Sequence, residues 1–284
     1  MTGAADSTDQ CNDVGTVCAS PQCELNGTLA SADDLRALAL LNYGHFTAMQ
    51  ISGGRVRGLD LHLARLDAGT QALFGRPLAA DRIRGYMRTA LGARTGDAWM
   101  RVTVYSRDFD RDRPARPSQV DVLTTVGAAR QVSTTPLRLK SFRHERVLPE
   151  IKHVGTFALF HYRRLAQLAG FDDALFAGHD DAISEASVWN IGFFDGSAIV
   201  WPNAPALPGI SMQLLQAGLR EQGVAAVSRR VAMGDIAKYR SAFLTNSSCP
   251  VRPIASIDDV ELAVDPELTR LLEACYASNP LQAI

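Results

Sequence analysis

One tight-turn signal constrains this chain more than any other. Ser52-Gly53-Gly54 sits between two strand-like runs, residues 45–51 and 55–58, and a helical pattern follows at once. Adjacent glycines reach positive φ at low cost, so the pair closes a β-hairpin. The helix beyond it is delimited by Asp60 as N-cap, by Leu59, Leu63, Leu66 and Leu73 on one stripe, and by Gly75 ahead of Pro77. A hairpin that feeds an amphipathic helix calls for helix packed on sheet.

The same alternation continues. A second helix, capped by Asp81, is expected to Gly92, then strands at 99–105 and 119–126. Between those strands the loop 107–117 carries Arg107, Arg111, Arg113 and Arg116, too much charge for a core. Further on, Pro136–Leu139 reads as extended. Residues 155–170 read as a helix with Phe157, Phe160, Leu165 and Leu168 on one side. Strands follow near 174–176, 188–194 and 198–201, then a helix from Ile210 to Glu221, strands at 242–246 and 251–256, and a last helix at 266–276. No repeat is visible. Strands punctuated by helices give an α/β (α+β) chain of two domains, a smaller one over 31–128 and a larger one over 129–284. Residues 1–30, polar and without periodicity, read as a loosely attached arm.

Composition removes several function classes. With 29 basic and 30 acidic residues the net charge is −1, which gives nucleic acid nothing to hold. No apolar run approaches the roughly 18 to 20 residues that span a bilayer. The first twenty residues lack a secretory profile, so a cytoplasmic setting is expected. The five cysteines are odd in number and match no metal spacing, and the six histidines are scattered, so no metal site is expected. Lysine is scarce: Lys140, Lys152 and Lys238 are the only three.

Single residues carry chemistry weakly. A lone lysine such as Lys152 is ordinarily a solvated surface residue. Gly209-Ile210-Ser211 opens a helix whose free N–H groups suit an anion, as do those of any helix start. Glu185 beside Ser187 and Asn190 could be a strand end, and Arg65 could pair with an acidic neighbour.

Taken together they match a family. Tyr43-Gly44-His45-Phe46-Thr47, the glycine hairpin and His62-Leu63-Ala64-Arg65-Leu66 resemble the start of class IV aminotransferases. Ile151-Lys152-His153 resembles their lysine segment, especially in 4-amino-4-deoxychorismate lyases. The stretch from Ile183 to Ile191 resembles the segment around their pyridine-binding glutamate. Leu207-Pro208-Gly209-Ile210-Ser211 and Phe243-Leu244-Thr245-Asn246-Ser247-Ser248 resemble their two phosphate-binding turns. Order and spacing agree from about residue 40 to 256.

The resemblance implies a fold type IV architecture, pyridoxal 5′-phosphate (PLP) as cofactor, and a homodimer with its active site near the subunit boundary. It nominates Lys152 for the Schiff base, Glu185 for the ring nitrogen, and Arg65, Ile210, Ser211, Ser247 and Ser248 for the phosphate. Phe46, Thr47, Arg107 and Arg143 are the candidates for substrate contact. An amine, a carboxylate that keeps a ring nitrogen protonated and an anion cradle are what such a cofactor needs. The chain departs from the family pattern in places: Ser211-Met212 replaces the frequent Thr-Arg, and Asn246-Ser247-Ser248 the familiar Gly-Thr-Ala. Thr47 stands where many members have an acid, which leans toward the lyase-like branch. Three activities stay open: transamination between an amino donor and a keto acid, pyruvate-releasing elimination from 4-amino-4-deoxychorismate, and PLP binding without turnover.

Overall fold

The computed structural model describes residues 22–284. In chain order, β1 (Gln22–Leu25), β2 (Thr28–Leu29), α1 (Ala32–Leu41), β3 (Gly44–Ile51), β4 (Arg55–Arg57), α2 (Leu59–Phe74), α3 (Ala80–Leu91), β5 (Ala98–Tyr105) and β6 (Asp121–Ala128) form the first half. Its sheet is antiparallel, in the order β2-β1-β6-β5-β3. Strand alternation turns Met49 and Ile51 of β3, and Met100 and Val102 of β5, toward Leu59, Leu63 and Leu66 of α2. That contact is the core of this half.

The arm expected over 1–30 is corrected for its last part. Residues 22–29 form β1 and β2, and β1 pairs with β6 from Gln22↔Val126 to Leu25↔Leu123. Residues 1–21 lie outside the described residues. Both expected helix caps also shift. α2 begins after Gly58, whose φ of 68° no acidic cap accompanies. α3 begins after Ala79, with Asp81 inside its first turn.

The second half holds β7 (Leu137–Arg143), α4 (Phe157–Leu168), β8 (Asp173–Ala177), β9 (Ile183–Ala186), β10 (Trp189–Phe194), β11 (Ile199–Pro202), α5 (Ile210–Glu221), β12 (Ala226–Arg229), a 3-10 turn at Met233–Lys238, β13 (Ser241–Asn246), β14 (Cys249–Ile257), β15 (Val260–Glu261), α6 (Pro266–Ser278) and β16 (Leu281–Ala283). Because β9 pairs with both β8 and β10, the order β10-β13-β14-β7-β8-β9 closes on itself as a barrel, which leaves those strands no free edge. Leu139, Leu175, Ile191, Leu244 and Ile254 fill it.

Two features go beyond the sequence pattern. β16 returns to the first half and pairs with β4, so the chain's end straps the two halves together. The apolar stripe of α4 points outward: Phe157 is 80% exposed, Phe160 53% and Leu168 68%, while Leu159 and Ala166 face the barrel. No helix among the described residues is long and apolar enough to cross a membrane.

Candidate active site

The start of β3 runs against the segment that follows β7. Phe46 donates its N–H to the Lys152 carbonyl at 2.9 Å, and Val154 donates to the Gly44 carbonyl at 2.9 Å. These bonds fix the backbone of Lys152 between the two halves. Its side chain points toward Phe46, with Nζ 5.0 Å from the ring centre. Burial, reinforced by the guanidinium groups of Arg65 and Arg146, holds its amine down at about 7, although Glu185 pulls the other way. A neutral, nucleophilic amine is therefore populated near neutral pH. The other two lysines are paired: Lys140 with Asp258 at 2.8 Å, Lys238 with Asp235 at 2.6 Å.

Glu185 sits on β9, where its pairing with Asn190 of β10 closes the barrel. Its carboxylate is 4% exposed. Oε2 accepts the Leu207 N–H at 3.2 Å. Oε1 has no hydrogen-bond partner, and Arg146 stands 3.6 Å away with a side chain only 7% exposed. Burial raises the Glu185 pKa, against the opposing pull of Arg146 and the Leu207 N–H.

Leu207 leads into the first anion turn. Gly209 precedes α5 without a capping side chain, which leaves the first N–H groups of that helix unpaired within it. A Cβ at Gly209 would overlap the Asn190 carboxamide, which itself donates to the Leu207 carbonyl at 2.7 Å. Glycine is thus required by a close approach beside Glu185. Arg65, on α2, donates to the Pro208 carbonyl, and burial brings its pKa down to about 10. A cavity of about 410 Å³ is lined by Arg65, Lys152, Pro208 and Ile210 together with His45 and Gly69. Ser211 and Ser247 face a second, smaller polar cavity that Ile210 also borders. Ser248 differs from expectation, because its N–H is already taken by the Asn246 side chain at 2.9 Å.

The nominated substrate residues separate. Phe46 lies at Lys152. Thr47, one residue on, faces the opposite side of β3, where its hydroxyl meets His62 Nδ1 at 2.6 Å. Burial keeps His62 neutral, with its pKa down at about 3. Arg107 is held by Asp34 and Asp121 at 2.5 and 3.0 Å, and Arg143 pairs with Asp181 at 2.7 Å on the surface. Neither lines the cavity. Two arginines that the sequence reading did not single out act on Lys152 by charge: Arg146, and Arg101 on β5, whose guanidinium lies 3.7 Å over the Phe46 ring. The register Ala48↔Arg101 brings Arg101 there, and local sequence carries no trace of that pairing.

Residues 44–257 match the family model for amino-transferase class IV. The chain belongs to the class IV aminotransferases. A probable branched-chain-amino-acid aminotransferase of Rickettsia felis is 22% identical over 249 residues, 82% of this chain and 86% of that protein. A branched-chain amino acid aminotransferase from Thermobaculum terrenum, solved in its PLP form, superposes with a TM-score of 0.77 at 17% identity, covering 92% of this chain and 95% of that one. A putative 4-amino-4-deoxychorismate lyase from Legionella pneumophila superposes at 0.72 with 20% identity, covering 83% and 91%. This class IV aminotransferase therefore moves an amino group between an amino compound and a keto acid, with PLP as its cofactor. The residues present fit that cofactor. The buried, unpartnered Oε1 of Glu185 is the acceptor a protonated ring nitrogen would satisfy, and Lys152 supplies a neutral amine in the same site.

Proposed function

We propose that Lys152 is the amine that carries the cofactor, with Glu185 at the ring nitrogen and Arg65, Ile210, Ser211 and Ser247 at the phosphate. One observation carries this reading: Lys152 lines the cavity with Arg65 and lies within the electrostatic reach of Arg65, Arg146, Glu185 and Arg101 at once. When bound, PLP supplies an aldehyde and a protonated ring that draws electrons from the Cα–H bond of the amino compound. The protein does the rest. Glu185 keeps the ring nitrogen protonated, and Arg146 keeps Glu185 ionised and in place. Lys152, neutral near pH 7 once its amine is free, would take the proton from Cα. Arg65 and the free N–H groups of α5 hold the phosphate dianion with charge-assisted hydrogen bonds.

Arg101 is the donor for a substrate carboxylate, beside Phe46 and Lys152. Titrating the yellow holoenzyme with single amino donors tests this assignment. The expected outcome is bleaching of the visible band with keto acid released in proportion. Arg101→Gln is expected to raise the required concentration of a carboxylated donor about ten- to a hundredfold, and that of a simple amine little. Elimination is the weaker reading: of the segments that pointed to it, Ile151-Lys152-His153 serves transamination equally, and the Thr47 hydroxyl is engaged by His62 Nδ1. A holoenzyme that stays yellow with every donor and releases pyruvate from 4-amino-4-deoxychorismate would reverse that order.

The reading extends to assembly. Phe157, Phe160 and Leu168 of α4 are exposed, as are Val147 and Leu148 just ahead of Lys152 in the chain, apolar surface of the kind that pairs two copies. A homodimer is expected in sedimentation, and a particle of one chain's mass at micromolar concentration would contradict it. A cytoplasmic setting suits the buried thiols of Cys249 and Cys275, and recovery in a secreted fraction would contradict it.

A further inference from the structure

A small, almost wholly polar cavity of about 10 Å³, room for one water, lies behind the first anion turn. Ser211 and Ser247 border it, but so do Arg57, His62 and Tyr276, which come from other parts of the chain. Tyr276 belongs to α6. That helix can reach the start of α5 because the two backbones touch: a Cβ at Gly218 would overlap the Cys275 carbonyl. Gly218 lies seven residues, two turns, beyond Ser211 on the same face of α5. The residue after Cys275 is therefore brought to the same small cavity as Ser211.

Arg57 closes the arrangement. It lies on β4, directly opposite Leu281 of β16. Its guanidinium stacks on the Tyr276 ring at 5.4 Å and donates to the Ala277 carbonyl at 2.9 Å. Met212 follows Ser211, so the turn itself brings no cation. Arg57 brings one to the same cavity from the first half of the chain.

We propose that Tyr276 and Arg57 are positioning residues for the cofactor phosphate. Tyr276 holds the Ser211 hydroxyl toward the anion, and Arg57 orients Tyr276 and adds positive charge behind the cradle. The C-terminal strap thereby contributes to cofactor affinity, beyond joining the two halves. This rests on the reading that Ser211 and Ser247 meet the phosphate.

Dissociation constants for PLP and for pyridoxal, which lacks the phosphate, test the proposal on the full chain. Tyr276→Phe and Arg57→Gln are each expected to weaken PLP about three- to tenfold, with pyridoxal unchanged and the unfolding temperature of the cofactor-free chain kept. Arg57→Lys is expected to restore most of the loss, and added salt to shrink the Arg57→Gln effect. Equal weakening of PLP and pyridoxal, or none of either, while Ser211→Ala still selectively weakens PLP, would overturn the proposal and leave the cradle standing. If Ser211→Ala also fails to distinguish the two compounds, the phosphate reading falls with it.

Discussion

Replacing Lys152 with alanine is expected to lower amino transfer by at least about a thousandfold. The substitution removes both the attachment amine and the group that moves the Cα proton, and general acid–base catalysis alone contributes some 10²- to 10⁴-fold. The loss has a pH signature in the parent chain. The reactive form is the neutral amine, and its pKa sits at about 7 rather than 10.5 because burial and the charges of Arg65 and Arg146 disfavour the ammonium. Capture of PLP by the cofactor-free chain is thus expected to rise as pH climbs through 7 and to level off above 8. Below 7 it is expected to fall about tenfold per pH unit. Stopped-flow absorbance between pH 5.5 and 9 measures this directly. A rate that keeps climbing to pH 10 would mean an ordinary solvated lysine, and the environment assigned to Lys152 would be wrong.

Glu185→Gln is expected to reduce turnover by about 10²- to 10³-fold, the range for removing one preorganised electrostatic contact from a buried site. The amide keeps the shape and can still accept the Leu207 N–H, but it cannot hold a proton on the ring nitrogen. A second consequence follows from the geometry. Arg146, 3.6 Å away with a 7% exposed side chain, loses the carboxylate that balances it. An unpaired buried charge costs about 3–5 kcal/mol, so a lower unfolding temperature is expected as well. Rates are therefore to be compared at a temperature where circular dichroism shows the variant folded. A folded Glu185→Gln enzyme with parental turnover would remove Glu185 from the chemistry.

The parts of the site that were legible in the sequence are those encoded locally. Ser52-Gly53-Gly54 marks its hairpin because two glycines in a row have few other uses, and α5 falls on the expected Ile210–Glu221 because Gly209 and the apolar spacing delimit it. Lys152, Glu185 and Arg65 stood out only through the resemblance of their segments to those of class IV aminotransferases. Partners chosen by pairing at a distance were not legible. Arg101 reaches Phe46 through the register of β3 on β5, and Arg146 reaches Glu185 through closure of the barrel. Arg107 and Arg143, plausible from their loops, are taken by Asp121, Asp34 and Asp181, which no local pattern announces. Thr47 lies on the opposite face of β3 from Phe46, and there it meets His62 rather than the Phe46 ring. The apolar stripe of α4 was legible as a face, but periodicity gives a helix an apolar face without saying what covers it, and here most of it is exposed.

Borohydride reduction of the holoenzyme, followed by mass spectrometry of its peptides, puts the convergence on one lysine to the test. One pyridoxyl group per chain is predicted, on the peptide containing Ile151-Lys152-His153, with Lys140 and Lys238 unmodified. A stoichiometric adduct on either of those two lysines, or a tightly bound cofactor that reduction leaves unattached, would contradict it.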